Sequence, residues 1–600
     1  MNIRYRIMEQ KYYANEPNVL ILVAMLKAHN IKRVIASPGT TNLSFVASLQ
    51  CDPFFEMYSC VDERSAAYMA VGMAAETNEP VVITCTGATA SRNYLSALTE
   101  AYYRKLPILV VTGTQSIERI GQLHSQVIDR SIEQNDVLVS KYFLDSIHDK
   151  GDAYYCQLKI NKAVDDLTKR GGGPVLLNLK TSYTRDFSVK ELPQVRVIKR
   201  IGYDNIEKAP DMPSGRIGIF VGSHNTFTTK QTKAIDTFCA SRNAVVFCDH
   251  TSGYYGNYKV NFSLPTIQKN AIYDLCNLDL CIHIGEVSAE YGCLGNHLNK
   301  KNVWRVSPDG EIRDLFQKMS YMFEMNESDF FAYYTATDTK VDSSYHKSCH
   351  ELYKKLIQRM PELPFSNVWI ASKTANRLPE SSCLYLGILN STRTWNLFEL
   401  PKSVTSFANV GGFGIDGGVS SLIGASFMNP GKLYFGVVGD LAFFYDMNSL
   451  GNRHIGNNLR LMVVNNGKGT EFKNFYHVGS TFGNEADKFI AAGGHFGNKS
   501  PLLLKHYAED LGFEYISASN KEEYLAIYER FISPTPSSKP IVFEVFTKDK
   551  DESDAIEAMW NIDSNTQGVS SEKIVTIGQV IRKIIGRNGI EFIKLIIGRK

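Results

Sequence analysis

Residues 439–468 read GDLAFFYDMNSLGNRHIGNNLRLMVVNNGK, and they constrain the chain more than any other stretch. The apolar run 433–438 (LYFGVV) ends at Gly439-Asp440, a helix-length stretch follows, and a second apolar run, 459–464, ends at Asn465-Asn466-Gly467. Apolar runs of this length separated by a helix read as parallel strands. In an open parallel sheet the residues that follow the strands gather along one edge, where ligands bind. That brings Asp440 beside Asn466. The Asp440 carboxylate, the Asn466 side-chain oxygen and the backbone carbonyl of Lys468 form a hard oxygen set suited to Mg2+ holding a diphosphate. Taken alone, Gly-Asp and Asn-Asn-Gly are equally the punctuation of two turns.

The same strand, loop and helix unit recurs on either side. A helix is expected over 16–30 and strands over 33–36, 80–84 and 107–112. The first of these strands ends in Ser37-Pro38-Gly39-Thr40-Thr41-Asn42, and the second is followed by Thr86-Gly87-Ala88. A polar stretch to about residue 214 reads as a linker; strands at 218–222, 243–247, 280–285 and 302–306 come after it. Further strands are expected at 384–391 and 540–545. Alternation on this scale predicts three parallel-sheet α/β domains, with boundaries at 1–190, 191–365 and 366–560. Residues 561–600 stand apart. Isoleucines at near-helical spacing alternate there with Arg582, Lys583, Arg587, Lys594, Arg599 and Lys600. Such a basic amphipathic extension either packs on the protein's own body or meets an anionic membrane or a partner.

Composition excludes several classes. A net charge of +3 over 600 residues gives no reason to expect a nucleic-acid partner. The 11 cysteines include no CxxC pair, which fits a reducing compartment and argues against zinc. No apolar segment near the start reads as a secretory signal, and no run is long enough to span a bilayer. Cytoplasmic is the expected location.

Polar groups at the loops supply the candidates for chemistry. In Val61-Asp62-Glu63 a carboxylate opens an alanine-rich helix, and either acid suits the exposed amides there. The segment Gly121-Gln122-Leu123-His124-Ser125-Gln126 presents His124, which titrates near neutrality or is simply surface. Residues 411–418 hold five glycines in eight positions, so backbone can approach a ligand closely at the start of a helix. Glu471, just after the Asn-Asn-Gly turn, is either an acid at the reacting centre or a loop charge. His224, His250 and Glu286 end strands in the middle third, with no role assigned.

With these motifs on the page, the chain resembles the thiamine-diphosphate (ThDP) enzymes, in the branch that includes the SEPHCHC synthase of menaquinone biosynthesis. The family signature is Gly-Asp-Gly, a spacer in the mid-twenties, then Asn-Asn; Leu441 stands at its third position, a variant at home in that branch. DERSAAYMAVGMA and the Gly414-Ile415-Asp416-Gly417 core match the same branch. The resemblance covers about residues 15–550. It implies a pyrimidine-binding, a central and a diphosphate-binding domain, with ThDP and Mg2+ as cofactors. Glu63 is then the carboxylate against N1′ of the aminopyrimidine, whose shared proton drives the tautomer that activates the cofactor. Gln126, His124 and Glu471 lie near the reacting end, and Ile415 props the cofactor in its bent form. Gly39, Thr86, Asn390, Ser391, Gly414, Asp416, Gly439, Leu441, Ala442 and Phe472 contact the cofactor, while Asp440, Asn466 and Lys468 hold the metal. In the family, sites form between subunits, so a homodimer or homotetramer is implied.

The implied reaction is decarboxylation of a 2-oxo acid and transfer of the acyl-anion equivalent to an acceptor. Alternatives are a simple decarboxylase releasing an aldehyde, or a true SEPHCHC synthase using 2-oxoglutarate and isochorismate. A flavin-containing relative and a non-enzymatic relative are the contrasting classes; the second would be expected to lose Glu63 or the Asp440/Asn466 pair. Four arginines that hold carboxylates in the menaquinone enzyme are replaced by Thr41, Gln115, Trp395 and Val410, although Arg393 sits close to one of them. Loss of four guanidinium clamps implies a different, less anionic substrate pair.

Overall fold

The computed structural model describes residues 11–131, 134–269, 273–336 and 342–563. Residues 564–600, with the basic amphipathic pattern, lie outside the described residues. The chain forms three wholly parallel sheets, each with helices packed along its strands.

The first sheet runs, edge to edge, Glu56–Ser59, Arg33–Ala36, Val81–Thr86, Ile108–Thr114, Val175–Lys180 and Ser140–Leu144. The last runs Thr405–Ala408, Cys383–Leu386, Tyr434–Gly439, Leu459–Asn465, Ile541–Phe546 and Glu514–Ala518. Numbered within each domain, both follow the order 2-1-3-4-6-5. The first and third strands pair directly in both, as Arg33↔Val81 and Cys383↔Tyr434. Strand order reverses at that parallel pair, so each sheet opens a crevice outside the carboxyl ends of its first and third strands. The seven-stranded middle sheet spans Lys199–Gly202 to Met319–Glu324 in sequence.

Burial explains why these segments are strands. Every residue of Val81–Thr86 and of Leu459–Asn465 is buried, because helices cover both faces of a parallel sheet. An unbroken apolar run therefore reads as a strand only by its length. The helix Pro17–Ala28 starts with proline at its first turn and buries eight of its twelve residues.

Two expectations change. The polar stretch before residue 214 is not all linker: Lys199–Gly202 is an edge strand of the middle sheet, paired with Tyr321–Glu324. The strand expected over 384–391 stops at Leu386. Leu389 takes a left-handed conformation, φ 66°, and Asn390–Trp395 is helical.

Ion pairs and hydrogen bonds cross both seams between domains. Ion pairs Lys169–Glu311 (2.7 Å), Arg170–Glu324 (3.0 Å) and Asp165–Arg200 (3.0 Å) tie the first domain to the middle one. Buried hydrogen bonds tie the middle domain to the last. The His250 backbone N–H donates to Asn396 Oδ1 (2.8 Å), Asn396 Nδ2 donates to Glu290 Oε1 (2.9 Å), and the Ser406 hydroxyl donates to the His250 carbonyl (2.6 Å). His250 Nε2 lies 2.9 Å from the Trp395 carbonyl, and burial pulls its pKa down to about 3. No helix among the described residues is long and apolar enough to cross a membrane.

Candidate active site

The crevice of the last sheet collects the residues singled out at its strand ends. Asp440 follows the third strand and is 3% exposed. Its carboxylate takes backbone N–H groups from Leu441, Asn466 and Gly467, so the two turns meet as the sheet order requires. Burial outweighs those donors and pushes the carboxyl up to about 7. Asn466 Nδ2 donates to the Thr470 hydroxyl (3.2 Å), leaving Asn466 Oδ1 buried without a hydrogen-bond partner. A buried acceptor with no donor beside a desolvated carboxylate is costly in an empty pocket. A divalent cation satisfies both. The side chain of Lys468 turns away to Asp487 (2.7 Å) and Asp549 (3.3 Å), so only its backbone carbonyl remains for the metal. The donor set therefore fits Mg2+ and a diphosphate. Among the described residues no cluster of three or more His, Cys, Asp and Glu offers a competing metal centre.

Gly467 makes the turn possible. Its φ of 75° favours glycine, and a Cβ there would fall 1.7 Å from Asn498 Nδ2. Gly439, Leu441 and Ala442 flank Asp440 and are partly exposed, as are Gly414, Ile415 and Asp416 in the loop before the helix Gly418–Met428.

Asn390 opens the helix after the first strand of that sheet, with Ser391 buried behind it. With its oxygen accepting from the Thr470 hydroxyl (2.8 Å) and the Glu471 N–H (3.1 Å), the Asn390 amide donates to Glu471 Oε2 (2.8 Å). Glu471 is only 7% exposed and is ion-paired to Arg393. The Tyr476 hydroxyl adds a contact to Arg393 at 3.4 Å, and its ring stacks on Trp560. Burial opposes the Arg393 charge, but Glu471 and Tyr476 more than offset it and hold the guanidinium firmly protonated. Glu471 is thus no loop charge in solvent. Phe472 lies beside it, edge-on to His477. The Arg393–Glu471 pair escaped the sequence reading because its members are far apart in the chain; the Arg393 offset was the one available signal.

The first domain brings its own set to the matching crevice. Gly39 follows the first strand, Thr86 ends the third, and the two lie close: a Cβ at Gly39 would fall 2.2 Å from Thr86 Oγ1. Asp62 is the helix cap, accepting from the Arg64 N–H (3.1 Å) and the Ser65 hydroxyl (2.7 Å). Glu63 is left half-buried, with one hydrogen bond from Asn93 Nδ2 (3.1 Å). The capping role and the free carboxylate belong to different residues. His124 and Gln126 sit exposed on their loop, Gln126 with φ 61°. Among the described residues, no hydrogen bond or ion pair joins Glu63, His124 or Gln126 to Asp440 or Asn466.

Comparison with known proteins bears on both crevices. Residues 20–133 match the family model described as thiamine pyrophosphate enzyme, N-terminal TPP binding domain. Over 565 residues, 90% of this chain and 98% of the relative, the chain is 31% identical to a 2-succinyl-5-enolpyruvyl-6-hydroxy-3-cyclohexene-1-carboxylate (SEPHCHC) synthase from Bacteroides fragilis. The chain belongs to the thiamine-diphosphate-dependent enzymes. Two more of these ThDP enzymes, both SEPHCHC synthases, extend the likeness. One from Bacteroides thetaiotaomicron is 30% identical over 90% of this chain and 97% of its own length. One from Flavobacterium johnsoniae is 26% identical over 75% of this chain and 83% of its own. The three parallel-sheet α/β domains agree with the ThDP-enzyme arrangement.

Of the middle-domain polar residues, His224 pairs with Glu327 (3.2 Å) and stacks on Phe227, while His250 is part of a seam. Glu286 reaches Arg305 at 3.4 Å beside a cavity. The four positions that lack the branch's arginines are of two kinds. Thr41, Trp395 and Val410 are buried, and Trp395 Nε1 donates to Asn367 Oδ1 (3.1 Å); Gln115 binds Arg119 (2.6 Å).

Proposed function

We propose that this chain decarboxylates a 2-oxo acid with ThDP and Mg2+ and transfers the acyl-anion equivalent to an acceptor, the reaction type of the SEPHCHC synthases it resembles. The observation that carries this reading is full-length similarity to those synthases combined with an intact pair of polar sets, Asp440/Asn466 on one end domain and Glu63 on the other. When bound, the thiazolium supplies the electron sink for loss of CO2.

The chain's own groups do the rest. Asp440, Asn466 Oδ1 and the Lys468 carbonyl hold the metal, and the backbone around Gly439, Leu441, Ala442 and Gly414 approaches the diphosphate. Ile415, Asp416, Asn390, Ser391 and Phe472 line the cofactor on the same side. Glu63, with Gly39 and Thr86, receives the aminopyrimidine and shares a proton with its N1′. Gln126 and His124 complete the reacting end. Since Glu63 faces outward within one chain, a second copy supplies the first-domain half of each site, and the working unit is at least a homodimer. Val61, Tyr68 and Met69 beside Glu63 are 78%, 47% and 54% exposed, an apolar face that such a copy covers. Glu471, ion-paired to Arg393 and bound by Asn390, positions that arginine at the mouth of the site.

A second reading, a different and less anionic substrate pair, is favoured by Thr41, Gln115, Trp395 and Val410 at the arginine positions. Purified protein with ThDP and Mg2+ is offered a panel of 2-oxo acids, with and without isochorismate, and CO2 and product mass are followed. Ligated product from 2-oxoglutarate and isochorismate supports the SEPHCHC reading. Turnover of pyruvate or another small 2-oxo acid alone supports the second. Free aldehyde without an acceptor marks a simple decarboxylase, and no CO2 from any 2-oxo acid overturns the proposal.

A further inference from the structure

A cavity of about 410 Å3 lies where the carboxyl edge of the middle sheet faces the last domain. That volume is in the range of small-molecule sites. Three guanidinium groups line it: Arg305 on the strand Asn299–Val306, Arg313 on the following loop, and Arg393 on the helix Asn390–Trp395. Each guanidinium already pairs with one carboxylate, Arg305 with Glu286, Arg313 with Asp309 and Arg393 with Glu471, and each keeps further N–H donors for an anion. Leu315 and Phe413 supply apolar surface.

Two polar atoms in this lining are stranded. Arg305 is 1% exposed; Nη1 donates to the Gly285 carbonyl (2.6 Å) and Nη2 reaches Glu286 Oε1 (3.4 Å), but Nε has no partner. His283, its register partner on the neighbouring strand, is 4% exposed, and its Nε2 has no partner either. Burial, with the charges of Arg305 and Lys300, keeps that ring neutral. Unsatisfied buried donors beside a small-molecule-sized opening are what a ligand's oxygen atoms would complete. Arg393 links the cavity to Glu471 and Asn390 at the reacting end.

We infer that this cavity holds the carboxylate of an organic-acid substrate, anchored by Arg305 and Arg313, with Arg393 at the passage to the reacting centre. The inference rests on the carboligase reading above. It places the anion-binding arginines on the middle domain, away from the four positions where the branch carries them and this chain does not.

The test separates binding from turnover. Calorimetric titration of the ThDP- and Mg2+-loaded protein with succinate, 2-oxoglutarate, isochorismate and inorganic phosphate compares wild type with Arg313→Gln, Arg313→Lys and Arg305→Gln. Arg313 is half-exposed, so its variants fold even if Arg305→Gln does not. The expected result is carboxylate binding weakened about 10- to 100-fold in Arg313→Gln and partly restored in Arg313→Lys, with cofactor affinity unchanged. In turnover assays KM rises and kcat holds. Equal carboxylate affinity in wild type and Arg313→Gln overturns the inference. So does phosphate binding as tight as that of the carboxylates and lost in the same variants, or a fall in kcat with KM unchanged, which marks an effector site. Absence of CO2 release with every 2-oxo acid counts against the carboligase reading alone, because the titrations remain readable.

Discussion

The two end domains share one strand order and one crevice, yet equip that crevice in opposite ways. In the last domain the polar group is buried: Asp440 is 3% exposed, with its carboxyl pushed up to about 7 and an unpartnered Asn466 oxygen nearby. In the first, Glu63 is half-buried and held by one amide, with apolar residues exposed around it. A metal site needs ligands fixed and dried before the ion arrives, whereas a carboxylate that must meet a cofactor held elsewhere has to stay reachable. On the proposed reading the same fold serves as a socket at one end and a reaching arm at the other.

The sharpest way to break this contrast is Glu63→Gln. It is expected to slow C2-proton exchange of bound ThDP by about 10^3-fold or more, while diphosphate binding persists; exchange at the wild-type rate, followed by NMR, refutes the assignment. Asp440→Ala tests the socket. Mg2+-dependent ThDP affinity should fall by about 100-fold or more, beyond what losing a residue that merely supports a metal ligand costs. Unchanged affinity in an equilibrium titration rules the metal set out.

The socket also makes a statement about pH. The folded pKa of Asp440 lies above its ordinary 3.8, so the metal-free fold binds a proton that the unfolded chain releases. Its contribution to stability is complete below about pH 4 and is lost as pH rises through about 7, by at most about tenfold in the folding constant per pH unit. Urea melts of metal-free protein should therefore show a shallower pH slope in Asp440→Asn than in wild type. Some slope persists, because burial also raises Glu552 to about 7. Identical slopes count against a desolvated Asp440. The smallest effect is expected of Asp62→Ala, which removes the cap beside Glu63. The thermal midpoint should drop by about 2 °C or less, and C2 exchange should stay near wild type. A loss of exchange like that of Glu63→Gln means that the two acids have been assigned the wrong way round.

Much of this was legible in the sequence, for a physical reason. A parallel sheet puts functional residues directly after apolar runs, so Gly439-Asp440 and Asn465-Asn466-Gly467 could be paired without coordinates. The Lys199–Gly202 strand was hidden because an edge strand in a polar stretch lacks an apolar run. The helix Asn390–Trp395 was hidden because LYLGILNS is apolar at either period, and only the positive φ at Leu389 breaks it. The cavity around Arg305 could not be read at all: NVWRV announces a strand, but nothing in it says that its arginine is in register with His283 and lines one cavity with Arg393 of another domain.

The seams carry a consequence for salt. Between the middle and last domains the buried hydrogen bonds gather around His250, whose imidazole burial keeps uncharged down to about pH 3, while the ion pairs His350–Glu399 and Lys521–Glu362 cross nearer the solvent. On that buried part of the seam neither ionic strength nor mild acid has a lever. The first domain is moored by ion pairs that added salt weakens. Added salt therefore acts on ion pairs of the domain that carries Glu63 and leaves the buried hydrogen bonds around His250 untouched.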